Sequence, residues 1–419
     1  MTRQIYSPLH ALPITAIAFA GFFTSQSAQA APSVVSQTTS DETRPVIAYS
    51  SDDDEFLVVW QTVNAFGGTD LLARRFDGAG SPTSAAITVA ASLVENERDP
   101  AVAYNPVTKG FFVAYVDDQG ADTDIRVVEV ARAGIIVLQP LNVAVATDSR
   151  REQAPQLAYN STANAFIVTY ELEYSATDTD IYAVRLNPNT AAVTGPPLAV
   201  QASSADDRDP DVACSWTAAT CVVVGEETAN ANNNVSSRAV NLSTWSVGSS
   251  SNLTSGFTNA SSNPSVEADD AGKYMVAWEH AYNSSDNDVF AEQLNANGSS
   301  AGGSTLMIAN TGQDEQRPDV AFIDTTGEFY VVWENEGPNA GQDMEIWSRP
   351  VSASMTLKAP RAVVHDVGKD NLAPAVALSG DSPDIGMAVW EHVYSPGSLG
   401  SLRDTDIHID AVLSSTASP

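Results

Sequence analysis

A proline recurs at Pro45, Pro100, Pro155, Pro210, Pro264, Pro318 and Pro374, at intervals of 54 to 56 residues. Each heads a short apolar run. In six of the seven repeats a second apolar run follows that ends in an aromatic residue. A period of this length built from short β-prone runs predicts an all-β chain: a seven-bladed β-propeller of four-stranded antiparallel blades.

Each strand of the unit has its own justification. The first begins at the proline, as in Pro45-Val-Ile-Ala-Tyr49 and Pro100-Ala-Val-Ala-Tyr104. The second is apolar at consecutive positions: Phe56-Leu-Val-Val-Trp60, Phe111-Phe-Val-Ala-Tyr115, Phe166-Ile-Val-Thr-Tyr170, Tyr274-Met-Val-Ala-Trp278, Phe329-Tyr-Val-Val-Trp333 and Gly386-Met-Ala-Val-Trp390. A strand apolar on both faces must be covered on both faces, as stacked blades require. Repeat four is degenerate, reading Cys221-Val-Val-Val-Gly225-Glu226. The third strand opens on Asp-x-Asp pairs: Asp122 and Asp124, Asp178 and Asp180, Asp286 and Asp288, Asp404 and Asp406. The fourth is short, as in Ile87-Thr-Val-Ala90. Gly, Asn, Asp, Ser and Pro bound every run, as strand ends should be bounded. No segment sustains a helical period, which excludes a helical solenoid.

Repeat seven ends after its third strand, near Leu413. A matching fourth strand stands instead at the other end, in Pro32-Ser-Val-Val-Ser-Gln37. Residues 32–37 are therefore expected to pair beside 407–413, so that an N-terminal strand closes the ring and removes its open edges.

Before that strand, Arg3, an apolar stretch from Ala11 to Phe23 and the small-x-small sequence Ala28-Gln29-Ala30 read as an export signal. The expected organisation is a signal peptide over 1–30, one propeller over 31–414 and a tail over 415–419. The apolar stretch is too short to span a bilayer, so the mature chain is expected to be secreted or held at the cell surface, without a transmembrane segment. Lys and Arg total 20 against 52 Asp and Glu, for a net charge of −32, which argues against nucleic-acid binding. Two cysteines exclude a disulfide-dense scaffold and a cysteine-built metal centre. Cys214 and Cys221 fall on adjacent strands of one hairpin, and in an exported protein a disulfide is expected.

The blade pattern of Pro-x-Val-Ala-Tyr, Val-Val-Trp-Glu and Asp-x-Asp-Ile resembles the repeats of secreted bacterial seven-bladed β-propeller proteins, over nearly all of residues 32–413. The sialidase Ser-x-Asp-x-Gly-x-Thr-Trp box and the Trp-Asp ending of WD40 blades are both missing from this sequence. The resemblance implies architecture and no activity, because propellers host binding, catalysis and scaffolding alike.

Several groups are candidates for chemistry. Acids gather where the second strand ends (Asp117, Glu171, Glu226, Glu279, Glu334, Glu391) and before the repeat proline. Arg44, Arg98, Arg151, Arg208 and Arg317 stand close by. One arginine per blade, paired with a neighbouring blade's carboxylate, would lock the ring. The Asp-x-Asp pairs fit either of two uses: capping the turn backbone, or offering oxygens to calcium. His280 and His392 occupy matching places, each followed two residues on by Tyr282 or Tyr394. With Glu391 they form the sequence's candidate acid–base set.

No His-Glu-x-x-His or phosphate-binding loop occurs. The expected function is a non-enzymatic binding or structural propeller at the cell surface, engaging an extracellular protein, a polysaccharide or copies of itself. Its alternative is a polysaccharide-active hydrolase or lyase with a site on the axial face built from His280, His392, Tyr394 and Glu391. Calcium is the one cofactor the sequence suggests.

Overall fold

The computed structural model describes residues 32–413 apart from 37, 39, 79, 93–94, 121, 133–140, 143–149, 230–231, 284, 304, 338–342, 367, 380–384 and 395–404. The signal over 1–30 and the tail over 415–419 lie outside the described residues.

Seven antiparallel sheets form the seven predicted blades. The first runs Glu42–Ser50, Glu55–Val63, Thr69–Asp77 and Ile87–Ala90 from the inside outwards. The first strands of the other blades are Asn96–Asn105, Glu152–Asn160, Asp207–Cys214, Ser261–Ala268, Glu315–Ile323 and Lys369–Leu378. Each first strand packs against that of the next blade, and the seventh packs against the first. The ring is closed as expected. Ser33–Ser36 pairs antiparallel with Thr405–Leu413, placing Ser33 opposite Ile409 and Ser36 opposite Ile407. Val35 is 1% exposed and packs with Ile47, Trp60, Ile407 and Ile409.

The proline period has a backbone cause. In every blade the register between first and second strands slips at the proline, for example between Thr43 and Val46 and between Arg98 and Ala101. The residue before each proline is left-handed: Arg44, Asp99, Ala154, Asp209, Asn263, Arg317 and Ala373 have φ between 46° and 52°. This is a β-bulge repeated seven times, and proline suits it because no ladder hydrogen bond needs its missing N–H. A non-glycine residue in this region costs about 1 kcal/mol, so something must hold it there.

The second strands are buried on both faces between neighbouring blades, as their apolar runs require. Trp60, Trp278, Trp333 and Trp390 are wholly or almost wholly enclosed. Blade four departs from the pattern for a steric reason. A Cβ on Gly225 would stand 2.4 Å from Ile181 Cδ1 of blade three, so a side chain there would require Ile181 to shift. In the same blade Cys214 and Cys221 face each other across the hairpin and are bonded.

Candidate functional site

Four-stranded antiparallel blades put the loops between strands two and three on the same face as the connections to the next blade. The loops between strands one and two open on the opposite face.

On the first of these faces, five of the six second-strand acids, all but Asp117, are engaged in holding the ring. Glu171 Oε1 accepts the N–H of Asp209 at 2.7 Å, and Glu226 Oε1 that of Asn263 at 2.8 Å. Glu279 Oε2 accepts from Arg317 N at 2.9 Å, Glu334 Oε1 from Ala373 N at 2.6 Å, and Glu391 Oε1 from Arg44 N at 2.7 Å. In blade one, Gln61 Oε1 takes the same place, accepting from Asp99 N at 2.7 Å. Every one of these donors is the left-handed residue before the next blade's proline. Such a hydrogen bond contributes ~0.5–1.5 kcal/mol to a neutral acceptor and ~1.5–3 kcal/mol to an ionised one, comparable to the cost of the strained backbone. Burial pushes the carboxyls of Glu171, Glu226, Glu334 and Glu391 up, Glu226 to about 8 with Asp209 adding to the effect.

The lock between blades is thus a side chain bonded to backbone, where an arginine side chain was expected. Two of the five arginines do reach a neighbouring blade: Arg44 pairs with Asp99, and Arg151 lies 3.8 Å from Asp118. Arg98 pairs with Asp118 and with Asp99, Arg208 with Asp206 and Arg317 with Glu334, all within their own blades.

The histidines sit in separate environments. His280 Nδ1 is 3.0 Å from Ser261 Oγ, and its ring meets Phe257 edge-on with centroids 4.4 Å apart. His392 Nδ1 is 2.8 Å from Asn371 Oδ1; its ring stacks on His408 at 4.3 Å and meets Tyr394 at 4.9 Å. The two share no partner. Burial lowers both, and lowers His408 to about 4, so the imidazoles are neutral at pH 7. Glu391 adjoins His392 on its strand, but its carboxylate is committed to Arg44 N. Tyr282 is exposed.

The second members of the Asp-x-Asp pairs fall in rows that cross the blade. Ser261, His280 and Asp288 are successive cross-strand neighbours, as are Asn371, His392 and Asp406, and Glu97, Asp117 and Asp124. Asp180 and Asp288 are buried, and burial pushes both up, Asp180 to about 6 with Asp207 and Asp178 adding to it. Asp122 Oδ1 accepts from Thr123 N at 3.1 Å, and Asp286 Oδ2 from Asn283 Nδ2 at 3.2 Å, both local turn contacts. Asp124 lies 3.7 Å from Arg126. Asp178 pairs with Ser175 across its tight turn. Asp404 lies outside the described residues.

The opposite face holds an axial cavity of about 550 Å³ that no sequence motif marks. Its wall is mostly aliphatic, with Ile47, Val102, Leu157, Val212, Val376 and Leu378. Tyr49, Tyr104 and Tyr159 also line it. Their hydroxyls donate to Asp54 at 3.2 Å, Asp52 at 2.5 Å and Asn164 at 2.8 Å. Trp216 stands at its edge, 58% exposed.

Glu267 is the acid on the inner wall, at a register that holds alanine in the other blades (Ala48, Ala103, Ala158, Ala213, Ala321, Ala377). Burial pushes Glu267 up to about 8, and Asp211 and Asp319 add to it. Those two acids lace inner strands together. Asp211 Oδ2 accepts from Val266 N at 2.7 Å, and Asp319 Oδ2 from Val376 N at 2.8 Å. Between them, Ser265 Oγ donates to Asp319 Oδ1 at 2.9 Å. These residues are visible in the sequence only on comparing the position after each proline: Val46, Ala101, Gln156, Asp211, Ser265, Asp319 and Ala375.

No protein-family profile matches the chain. No curated protein matches it either. Solved structures do. A protein of unknown function from Dyadobacter fermentans superposes with a TM-score of 0.53 at 8% identity, covering 90% of this chain and 96% of that one. The N11 neuraminidase-like protein of an influenza virus from a flat-faced bat gives 0.50 at 9% identity, covering 90% and 88%. At these identities the likeness is one of fold: the chain is a seven-bladed β-propeller.

Proposed function

We propose that this is an exported, non-enzymatic binding propeller acting at the cell surface, and that its axial cavity receives an apolar side chain of a protein partner. The observation that carries this reading is the make-up of the cavity: an aliphatic and tyrosine wall with two acids, Asp324 at its exposed edge and Glu267, which burial pushes up to about 8. General acid–base chemistry needs paired groups of opposed protonation converging on one reacting atom. Here His280, His392, Tyr394 and Glu391 do not line the cavity, and the five second-strand glutamates are spent on backbone N–H groups of the next blade. A sugar would call for many fixed polar groups, whereas aliphatic walls with a few hydrogen-bonding positions suit an apolar anchor. The bonded Cys214–Cys221 pair suits an oxidising exterior.

The register of Glu267 supplies the test. Because that position accepts a long side chain in blade five, Ala103→Gln narrows the cavity without rebuilding the blade. Pull-down from the native cell surface and a glycan array, each with wild type and Ala103→Gln, separate the possibilities. Capture of a surface protein that Ala103→Gln abolishes supports the reading. Capture that ignores the substitution, or glycan binding alone, contradicts it. Turnover of a polysaccharide that His280→Ala or His392→Ala removes would replace it with the enzymatic alternative.

A further inference from the structure

The third residue before each repeat proline is buried in all seven blades: Glu42, Glu97, Glu152, Asp207, Ser261, Glu315 and Asn371. Five of the others meet hydroxyl, amide or imidazole partners. Glu42 accepts from Ser36 Oγ at 2.6 Å, Asp207 from Gln201 Nε2 at 3.2 Å, and Glu315 from Thr311. Ser261 and Asn371 meet His280 and His392. Glu97 differs. Its neighbour across the strand pair is another acid, Asp117, and Glu95 approaches from the connection between blades one and two. One oxygen from each of the three lies within 4.8 Å of the others. Glu97 is 4% exposed and Asp117 3%, yet Glu97 Oε2 and Asp117 Oδ1 have no hydrogen-bond partner. The other oxygen of Asp117 is held by Arg126 and by Gln119 Nε2 at 3.3 Å, which fixes the direction of the free one.

Buried acids facing each other with oxygens left over repel unless a cation or protons lie between them. The geometry points to a binding site for a hard divalent cation, calcium, formed by Glu95, Glu97 and Asp117 at the junction of blades one and two. An all-carboxylate donor set selects against zinc and copper, which prefer nitrogen and sulfur. Calcium tolerates irregular coordination and completes its shell of six to eight oxygens with water and carbonyl groups, whereas magnesium demands a near-ideal octahedron. The site is separate from the axial cavity and does not depend on what that cavity binds. Without metal, burial pushes Glu97 up to about 7, with Asp70 and Asp117 adding to it, so the cation competes with a proton there.

Terbium substituted for calcium gives a direct readout, because Tyr115 lies close enough to Asp117, Glu97 and Glu95 to feel their charges and can sensitise the ion. Titration of the full chain with terbium, and of the same protein with calcium by calorimetry, should show saturable binding with a Kd on the order of 10⁻⁴–10⁻³ M. Affinity should rise between pH 6 and pH 8. Glu97→Gln and, at the more accessible edge of the cluster, Glu95→Gln should each weaken binding at least about tenfold. Asp270→Asn, which removes one exposed charge on the other face, should leave it unchanged. If Glu97→Gln fails to fold, Glu95→Gln alone decides. Lack of saturable binding up to about 10 mM calcium, ten times the upper affinity expected for such modules, would overturn the site. So would binding that Glu95→Gln leaves intact.

Discussion

Glu334 is the sharpest place to test the blade lock. Its side chain is fully enclosed, and one oxygen accepts from Ala373 N of blade seven at 2.6 Å and from Arg317 Nη1 at 3.0 Å. Glu334→Ala removes both contacts. The arginine is 52% exposed and can turn to water, so its share is small, ~0–1 kcal/mol. The Ala373 N–H cannot turn away, because its residue is held at φ 49° between two blades. Leaving such a donor unsatisfied costs about 1–3 kcal/mol, and this contribution dominates. The expected loss is therefore about 2–3 kcal/mol. At ~2.1 cal/mol/K per residue, a propeller of this size has an unfolding entropy near 0.8 kcal/mol/K, so the Tm should fall by about 3 °C. Calorimetry at pH 7 measures it, with Arg317→Ala as the comparison, expected to shift the Tm by less than 1 °C. Equal shifts in the two variants would refute the argument, since they would place the lock in the salt bridge and not in the backbone contact.

Three further outcomes follow from the same contacts. Val35→Asp puts a charge into the enclosed seam between the closing strand and blade seven and should cost at least about 3 kcal/mol; an unchanged Tm would mean the ring is not closed there. Reducing the Cys214–Cys221 bond opens a loop with a sequence separation of 7 and should cost about 2 kcal/mol; intact mass before and after reductant checks that the bond is present, and calorimetry its worth. Stability should fall as pH rises from about 6.5 to 8 in calcium-free buffer, above the range in which the lowered histidines His280, His392 and His408 differ in protonation between folded and unfolded chains. Burial raises Glu97 and Glu315 to about 7, Asp180 to about 6, and Glu226 and Glu267 to about 8. The folded chain therefore binds more protons than the unfolded one across this window, and the slope of stability with pH is negative. Urea midpoints that rise toward pH 8 would contradict it.

The ring, its strand order and its closure were legible because each has a local cause. The bulge selects proline, the covered second strand selects apolar residues on both faces, and an exposed edge needs a partner. The disulfide was legible from one hairpin. The blade lock was not, because its donor is the backbone N–H of the residue before proline, and residues as different as Arg44, Asp99 and Ala373 serve equally. The acids flanking that proline drew attention to arginine side chains, which contribute only here and there. The axial cavity left no motif because its wall is made of ordinary strand residues. Glu267 could have been found as the one acid at a position otherwise filled by alanine. Glu97 and Asp117 were visible as acids, but their convergence depends on cross-strand register, which the sequence does not state.

The most direct test of the account asks which face meets a partner. A photo-crosslinking residue placed at Tyr159, in the cavity wall, and another at Phe66, in an exposed loop of the opposite face, can be irradiated on the native cell surface. The account predicts a discrete crosslinked protein from position 159 and none from position 66. A partner captured only through position 66 would contradict it.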